Sequence, residues 1–396
     1  MQPEHISLPG AAGHAARARS TDFPIRMLLS ALSLLVIGVS AASLRPFLRL
    51  WNGDTPDEPS RYQAMAVGCI GSNAHDFLRV ALNAAGHLAA GAPEDSGYHA
   101  ILQVDGVMRD LGVLKGYEAS RAYALNASDV VAGCSYKSTG YSYSLRPMRA
   151  CLWRDGHIEG LPMLPGYKCS IARAINASGQ AVGSCYTPHD EIYNAASHAA
   201  LWENHAVRDL GVLPGFVQSS ALAVNDAGEV VGTLTTADHH THGFLWRNGQ
   251  MQDLGTLPGC ATSMATSINA QGAIIGVSGN APMHMVLWQN GHIRDLGSVP
   301  GAPVVFPLKI NSTGEVLLNA GTGSIRVGDY PRPYVWDAGH GYTRLSVLLG
   351  THSGYFLWRA LDLNDHGQIA AGGRFRGSDM QVYLLTPLAS GTEGGR

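Results

Sequence analysis

An Asn that follows an aliphatic residue and opens a short turn recurs seven times along this chain, at Asn83, Asn126, Asn176, Asn225, Asn269, Asn311 and Asn364. In six of the seven a glycine stands three residues later, at Gly86, Gly179, Gly228, Gly272, Gly314 and Gly367; only Asn126 departs, with Asp129 in that place. The spacing averages roughly 47 residues and fills nearly everything after residue 62. A period of that size in a strand-rich sequence constrains the architecture to a β-propeller.

Asn at the first position of a type I turn bonds its own backbone, and Gly suits the fourth position. Each Asn-x-x-Gly is therefore expected to join two strands. The strand before it is expected to alternate with period two, as in Ser219-Ser220-Ala221-Leu222-Ala223-Val224, with small residues on one face. The strand after it is β-branched, as at Val230-Val231 and Ile274-Ile275. A third strand ends in Trp153, Trp202, Trp246, Trp288 or Trp336 in five copies. The pairs Asp105-Gly106, Asp155-Gly156, Asn248-Gly249 and Asn290-Gly291 then mark tight hairpins. A fourth strand runs into Asp-Leu-Gly, as at Asp209-Leu210-Gly211, and a Leu-Pro-Gly loop.

The expected fold is all-β, a seven-bladed β-propeller of four-stranded antiparallel blades. The last copy stops after its third strand, Gln381 to Leu385, while the segment Val67 to Gly71 resembles a fourth strand and its loop. An N-terminal strand completing the last blade would remove an open sheet edge. Six or eight blades are the alternative counts, because the copy around Asn311 is the weakest.

Four copies pair a His that opens the third strand with an Asp eleven residues later: His99 with Asp110, His198 with Asp209, His242 with Asp253, His284 with Asp295. Across a short hairpin that offset brings the side chains roughly opposite each other. A proton-transfer dyad is one reading. Four copies spread round a ring cannot share one active site, so the pairs are read as structural and no catalytic residue is assigned.

Residues 1–26 form a positively charged leader, and 27–44 an uncharged apolar stretch ending in small residues. That pattern fits a signal peptide cleaved near Val39-Ser40-Ala41, or an uncleaved signal-anchor. Residues 45–61 look like a linker, 62–386 carry the seven repeats, and 387–396 are a flexible C-terminal tail. The expected location is secreted, periplasmic or cell-surface, with anchoring through residues 27–44 as the alternative. Charged residues make up only 14% of the chain and the net charge is −3, so there is no basic face for nucleic acid. A monomer without cofactor is expected, touching a membrane only through an uncleaved N-terminal segment. Of the six cysteines, hairpin counting suggests Cys169–Cys185 and Cys134–Cys151 as possible disulfides.

The segments His198-Ala199-Ala200-Leu201-Trp202, His242-Gly243-Phe244-Leu245-Trp246, Asp253 to Gly259 and Ile268 to Gly272 resemble the HAF extracellular repeat. The resemblance covers roughly residues 62–386 and implies a secreted or surface-exposed bacterial repeat protein. It carries no defined catalytic residues. The His-Ala-Phe tripeptide itself is altered in every copy, which touches packing and no known chemistry.

Alternating strand directions put the Asn-x-x-Gly and Asn-Gly turns on one face and the longer, variable loops on the other. Variable loops on a rigid scaffold are where binding usually resides. Tyr136, Tyr141, Tyr143, Tyr186, Tyr193 and Tyr330 are candidate ligand contacts there, each a rigid apolar body with a polar tip. His189, Asp190 and Glu191 on one loop and Asp238, His239 and His240 on the next are candidate metal ligands. Two functions are consistent with this: a non-catalytic exported scaffold binding a protein or glycan partner, or a secreted hydrolase or lyase, with or without a metal ion.

Overall fold

The computed structural model describes residues 60–68, 79–94, 97–138, 146–187, 196–323, 331–350 and 353–388. Twenty-eight strands group into seven four-stranded antiparallel sheets. The chain enters through β1 (Tyr62–Gly68), then builds blade 1 from β2 (Val80–Leu82), β3 (Leu88–Glu94), β4 (Gly97–Val104) and β5 (Val107–Asp110). Blade 2 holds β6 (Ala119–Leu125), β7 (Val131–Tyr136), β8 (Met148–Arg154) and β9 (His157–Gly160). Blade 3 holds β10 (Cys169–Ile175), β11 (Ala181–Tyr186), β12 (Ser197–Glu203) and β13 (Ala206–Gly211). Blade 4 holds β14 (Gln218–Val224), β15 (Val230–Thr235), β16 (Thr241–Arg247) and β17 (Gln250–Asp253). Blade 5 holds β18 (Ser263–Ile268), β19 (Ile274–Ser278), β20 (His284–Gln289) and β21 (His292–Gly297). Blade 6 holds β22 (Val304–Ile310), β23 (Val316–Gly321), β24 (Arg332–Asp337) and β25 (Gly341–Arg344), followed by a one-turn helix α1 (Leu345–Leu348). Blade 7 holds β26 (Tyr355–Leu363), β27 (Ile369–Phe375) and β28 (Gln381–Pro387).

β1 pairs antiparallel with β28, with Tyr62 opposite Pro387 and Ala66 opposite Tyr383. The N-terminal strand thus becomes the outermost strand of blade 7 and closes the ring. The weakest copy, around Asn311, makes a full blade, so the count is seven. Among the described residues no helix is long and apolar enough to cross a membrane; the apolar stretch 27–44 lies outside them.

The core is divided between the blades. Each pair of neighbouring sheets encloses its own apolar cluster, such as Leu201, Val230, Leu234, Phe244 and Trp246 between blades 3 and 4. Trp202 and Phe244 are fully buried. The expected tight hairpins carry positive φ at both central residues, 52° and 80° at Asn248-Gly249 and 49° and 82° at Asp105-Gly106. That is the twist a two-residue turn needs to match its strands.

One expectation needs correction. The innermost strands do not alternate cleanly with period two. In blades 2 to 7 the pairing slips at the residue three before the conserved Asn, and Tyr123, Arg173, Leu222, Thr266, Leu308 and Leu361 are the residues left unpaired. A bulge re-aims one side chain and bends its strand, and here all six of those residues line the central channel.

The seven Asn residues are buried. Each carbonyl accepts the N–H three residues on, as from Gly228 to Asn225 at 3.0 Å, which closes the expected turn. Each side chain also reaches the next blade. Nδ2 donates to the neighbouring Asn carbonyl from Asn83 to Asn126, Asn126 to Asn176, Asn176 to Asn225, Asn225 to Asn269 and Asn269 to Asn311, all at 3.0–3.1 Å. Asn311 to Asn364 is the longest at 3.5 Å, and Asn364 to Asn83 closes the belt at 2.9 Å. The exceptional Asp129 takes the left-handed conformation that glycine holds elsewhere, with φ of 59°. Short polar side chains tolerate that region. Its carboxylate then accepts from Asn83 Nδ2 and His87 Nδ1 at 2.9 and 2.8 Å.

A second set of contacts ties blades together on the other side. Buried Ser120, Ser219 and Ser263 each donate Oγ–H to a glycine carbonyl before the strand, Gly112, Gly211 and Gly255. The same oxygens accept N–H groups from the preceding blade, at Ala100, Ala199 and Gly243.

Candidate functional site

The four His–Asp pairs lie on blades 1, 3, 4 and 5. His Nδ1 meets the carboxylate at 2.9 Å in His99–Asp110 and at 2.8 Å in His198–Asp209, His242–Asp253 and His284–Asp295. They are not directly opposite. Asp209 faces Ala200 and Asp253 faces Phe244, two residues beyond each His, so the contact is diagonal. The other carboxylate oxygen accepts the N–H of Gly112, Gly211, Gly255 or Gly297 at 2.7–2.8 Å. Each carboxylate therefore fixes both a strand and the loop that leaves it. Asp110 is pulled up by burial, but the bonds from His99 and Gly112 outweigh this and hold its carboxyl below the usual range.

Of the six candidate tyrosines, Tyr141, Tyr143, Tyr193 and Tyr330 lie outside the described residues. Tyr136 is 2% exposed, with the guanidinium groups of Arg121 and Arg146 at 5.3 and 5.8 Å from its ring centre. Tyr186 packs beside Cys134, Tyr136 and Ile171, and burial raises its hydroxyl pKa far above the ordinary value. Both residues end strands whose side chains turn between blades 2 and 3. Tyr136 is a core anchor, which corrects its reading as a ligand contact; Tyr186 is half-buried against the same cluster.

Of the six candidate metal ligands, His189, Asp190 and Glu191 lie outside the described residues. Asp238, His239 and His240 form an exposed turn closed by Thr236, whose N–H donates to the His240 carbonyl at 2.9 Å and whose hydroxyl donates to the Asp238 carboxylate. The backbone bond from His239 N–H to the Thr236 carbonyl, at 3.1 Å, completes it. Asp238 is thus engaged by its own turn. Among the described residues no three His, Cys, Asp or Glu side chains converge in a metal-binding group.

The two proposed disulfides are absent. Cys134, Cys151, Cys169 and Cys185 are free and buried. The register explains why: Cys185 faces Ser170 and Cys169 faces Tyr186, while Cys134 faces Ala150 and Cys151 faces Gly133. Each pair misses by one residue, and in a pleated strand one residue flips the side chain to the other face.

The residues that sequence reasoning missed are in the channel. The innermost strands of all seven blades surround a cavity of about 410 Å³, within the usual range for a small-molecule pocket. Among the described residues its walls carry Arg79, Arg173, Lys309 and Arg359 but one carboxylate, Asp362. Asp362 accepts the N–H of Leu82 at 2.8 Å and of Leu363 at 2.9 Å, joining blade 7 to blade 1. Burial raises its pKa, opposed by Lys309 and by those two N–H groups.

No protein-family model and no curated protein matches the sequence. Solved structures do resemble the fold. The oligogalacturonate lyase of Vibrio parahaemolyticus aligns with a TM-score of 0.53 at 10% identity, over 84% of this chain and 95% of that one. The β-propeller domain of the Trilobed protease from Pyrococcus furiosus aligns at 0.45 and 10% identity, over 67% of this chain and 80% of that one. Acylaminoacyl peptidase of Pyrococcus horikoshii aligns at 0.48 and 9% identity, over 80% of this chain. This chain is a β-propeller. It spans about half, 52%, of that peptidase, and at these identities the likeness concerns the fold alone.

Proposed function

We propose that this chain is an exported, non-catalytic β-propeller scaffold that binds a protein or glycan partner through its variable-loop face. The supporting observation is the contrast between the two ends of the ring. Every connection between first and second strands has the same length, as from Val224 to Val230, and every one is held by the Asn belt. The connections between second and third strands run from Glu94–Gly97 in blade 1 to Tyr136–Met148 in blade 2, Tyr186–Ser197 in blade 3 and Gly321–Arg332 in blade 6. A frame invariant at one end and varied at the other is the layout of a binding scaffold. Export follows from the HAF-repeat resemblance and the apolar stretch 27–44, and membership of that repeat family is part of the proposal.

Replacing residues 139–145 and 188–195 with Gly-Ser segments of equal length tests this reading. Glycan-array binding and pull-down of surface proteins should fall while the thermal midpoint stays put. Unchanged binding, or turnover of a glycan or peptide substrate by the purified protein, would favour the hydrolase or lyase alternative, which the fold equally accommodates.

A further inference from the structure

We propose that the central channel is a binding site for a small organic polyanion of carboxylate or phosphate chemistry, gripped by Arg173 and Arg359. This site is separate from the loop face and stands whether or not that face binds a partner. The charge balance is the first support. Among the described residues, lining cations outnumber lining carboxylates by four to one, in a chain whose net charge is −3. The one carboxylate is already committed, since Asp362 holds the blade 7 to blade 1 seam through two backbone N–H groups and interacts with Lys309.

The second support is how the two arginines are held. Arg173 is the bulged residue of β10, so the strand's irregularity is what directs it to the channel. It is half-buried, and its Nε is buried without a hydrogen-bond partner among the described residues. Arg359 sits between the two bulges of β26, also half-buried. Burial lowers its pKa, and among the described residues it forms no ion pair with a carboxylate. A half-buried cation without a counter-charge costs stability. Two of them on one cavity, without an ion-pair partner among the described residues, make sense as donors for a bound anion. Guanidinium groups present planar forks of donors suited to carboxylate and phosphate oxygens.

The rest of the wall sets the ligand's size and character. Phe306, Leu222 and Leu361 add apolar surface. Phe306 is 46% exposed although it stands on an innermost strand. A compact anion with some apolar body fits this lining better than an extended chain.

Calorimetric titration of the full protein at low salt with citrate and with inorganic pyrophosphate tests the proposal. The relative affinity of the two separates carboxylate from phosphate chemistry. One site per chain is expected, weakening as salt rises, with affinity reduced at least about tenfold in the Arg173→Gln, Arg359→Gln double variant. Arg109→Gln, on the exposed outer strand of blade 1, should bind as the parent does. Without ligand the double variant should melt no lower than the parent, because uncompensated charge has been removed; a lower midpoint would mark the arginines as structural. Absence of binding by both anions at millimolar concentration, or equal binding by parent and double variant, would overturn the proposal.

Discussion

The side chain of Asn364 donates its Nδ2–H to the backbone carbonyl of Asn83 at 2.9 Å, across 281 residues of sequence. That bond joins the last blade to the first, and with six like it completes a hydrogen-bonded belt. Each Asn thus has two tasks. Its Oδ1 shapes its own turn, accepting the N–H four residues on, as from Glu229 to Asn225 at 2.9 Å. Its Nδ2 grips the neighbouring blade. The β1–β28 pairing closes the same ring a second way, through backbone rather than side chain.

Gly232 should tolerate no side chain. A Cβ there would meet the Ser220 carbonyl oxygen at 2.0 Å and Phe244 at 2.9 Å, where the bulge of β14 brings two backbones together. Gly232→Ala is expected to lower stability by about 1–3 kcal/mol, read as a drop in the urea midpoint.

Breaking a His–Asp pair should cost stability and spare binding. Asp253→Ala removes the acceptor for His242 and for the Gly255 N–H. The expected loss is about 1–3 kcal/mol, with ligand binding unchanged. Lost binding at unchanged stability would show that the pair serves function instead.

Acid should weaken the fold partly through Asp110. Its folded pKa lies below the ordinary 3.8, so its contribution is present above that value and is lost as pH falls through the folded pKa. Thermal midpoints measured from pH 5 to pH 2.5 should fall less steeply in Asp110→Asn than in the parent.

The four buried thiols should react only after unfolding. Burial pushes Cys134 up to about 12 and Cys151 well above its ordinary value, and the thiolate is the reactive form. Thiol titration in denaturant without reductant should find Cys134, Cys151, Cys169 and Cys185 all reduced. A count below four of the six thiols would put at least one of these four in a disulfide and contradict the register seen here.

The architecture was legible because hairpin chemistry is local. Asn225-Asp226-Ala227-Gly228 and Asn248-Gly249 announce their turns from a few adjacent residues. The completion of blade 7 was readable because β28 lacked a partner strand. What stayed hidden was non-local. Nothing adjacent to Asn269 shows that its amide reaches Asn311. The bulges at Arg173 and Leu222 displaced the period-two alternation, and with it the channel lining. Counting across hairpins placed the cysteines one residue out, which was enough to reverse their faces. Tyr136 looked like a loop aromatic because its two arginine neighbours, Arg121 and Arg146, are remote in sequence from one another. That Arg359 has no ion-pair partner among the described residues becomes apparent only when all seven innermost strands surround it.

Asn269→Asp tests the belt most directly. The carboxylate keeps the acceptor for the Gln271 and Ala273 N–H groups, so the local turn survives. It loses the donor to the Asn311 carbonyl and sets oxygen against oxygen. Chemical denaturation at pH 7 should show a loss of at least about 2 kcal/mol relative to the parent. A variant as stable as the parent, within about 0.5 kcal/mol, would contradict the claim that the repeated Asn holds the blades to one another.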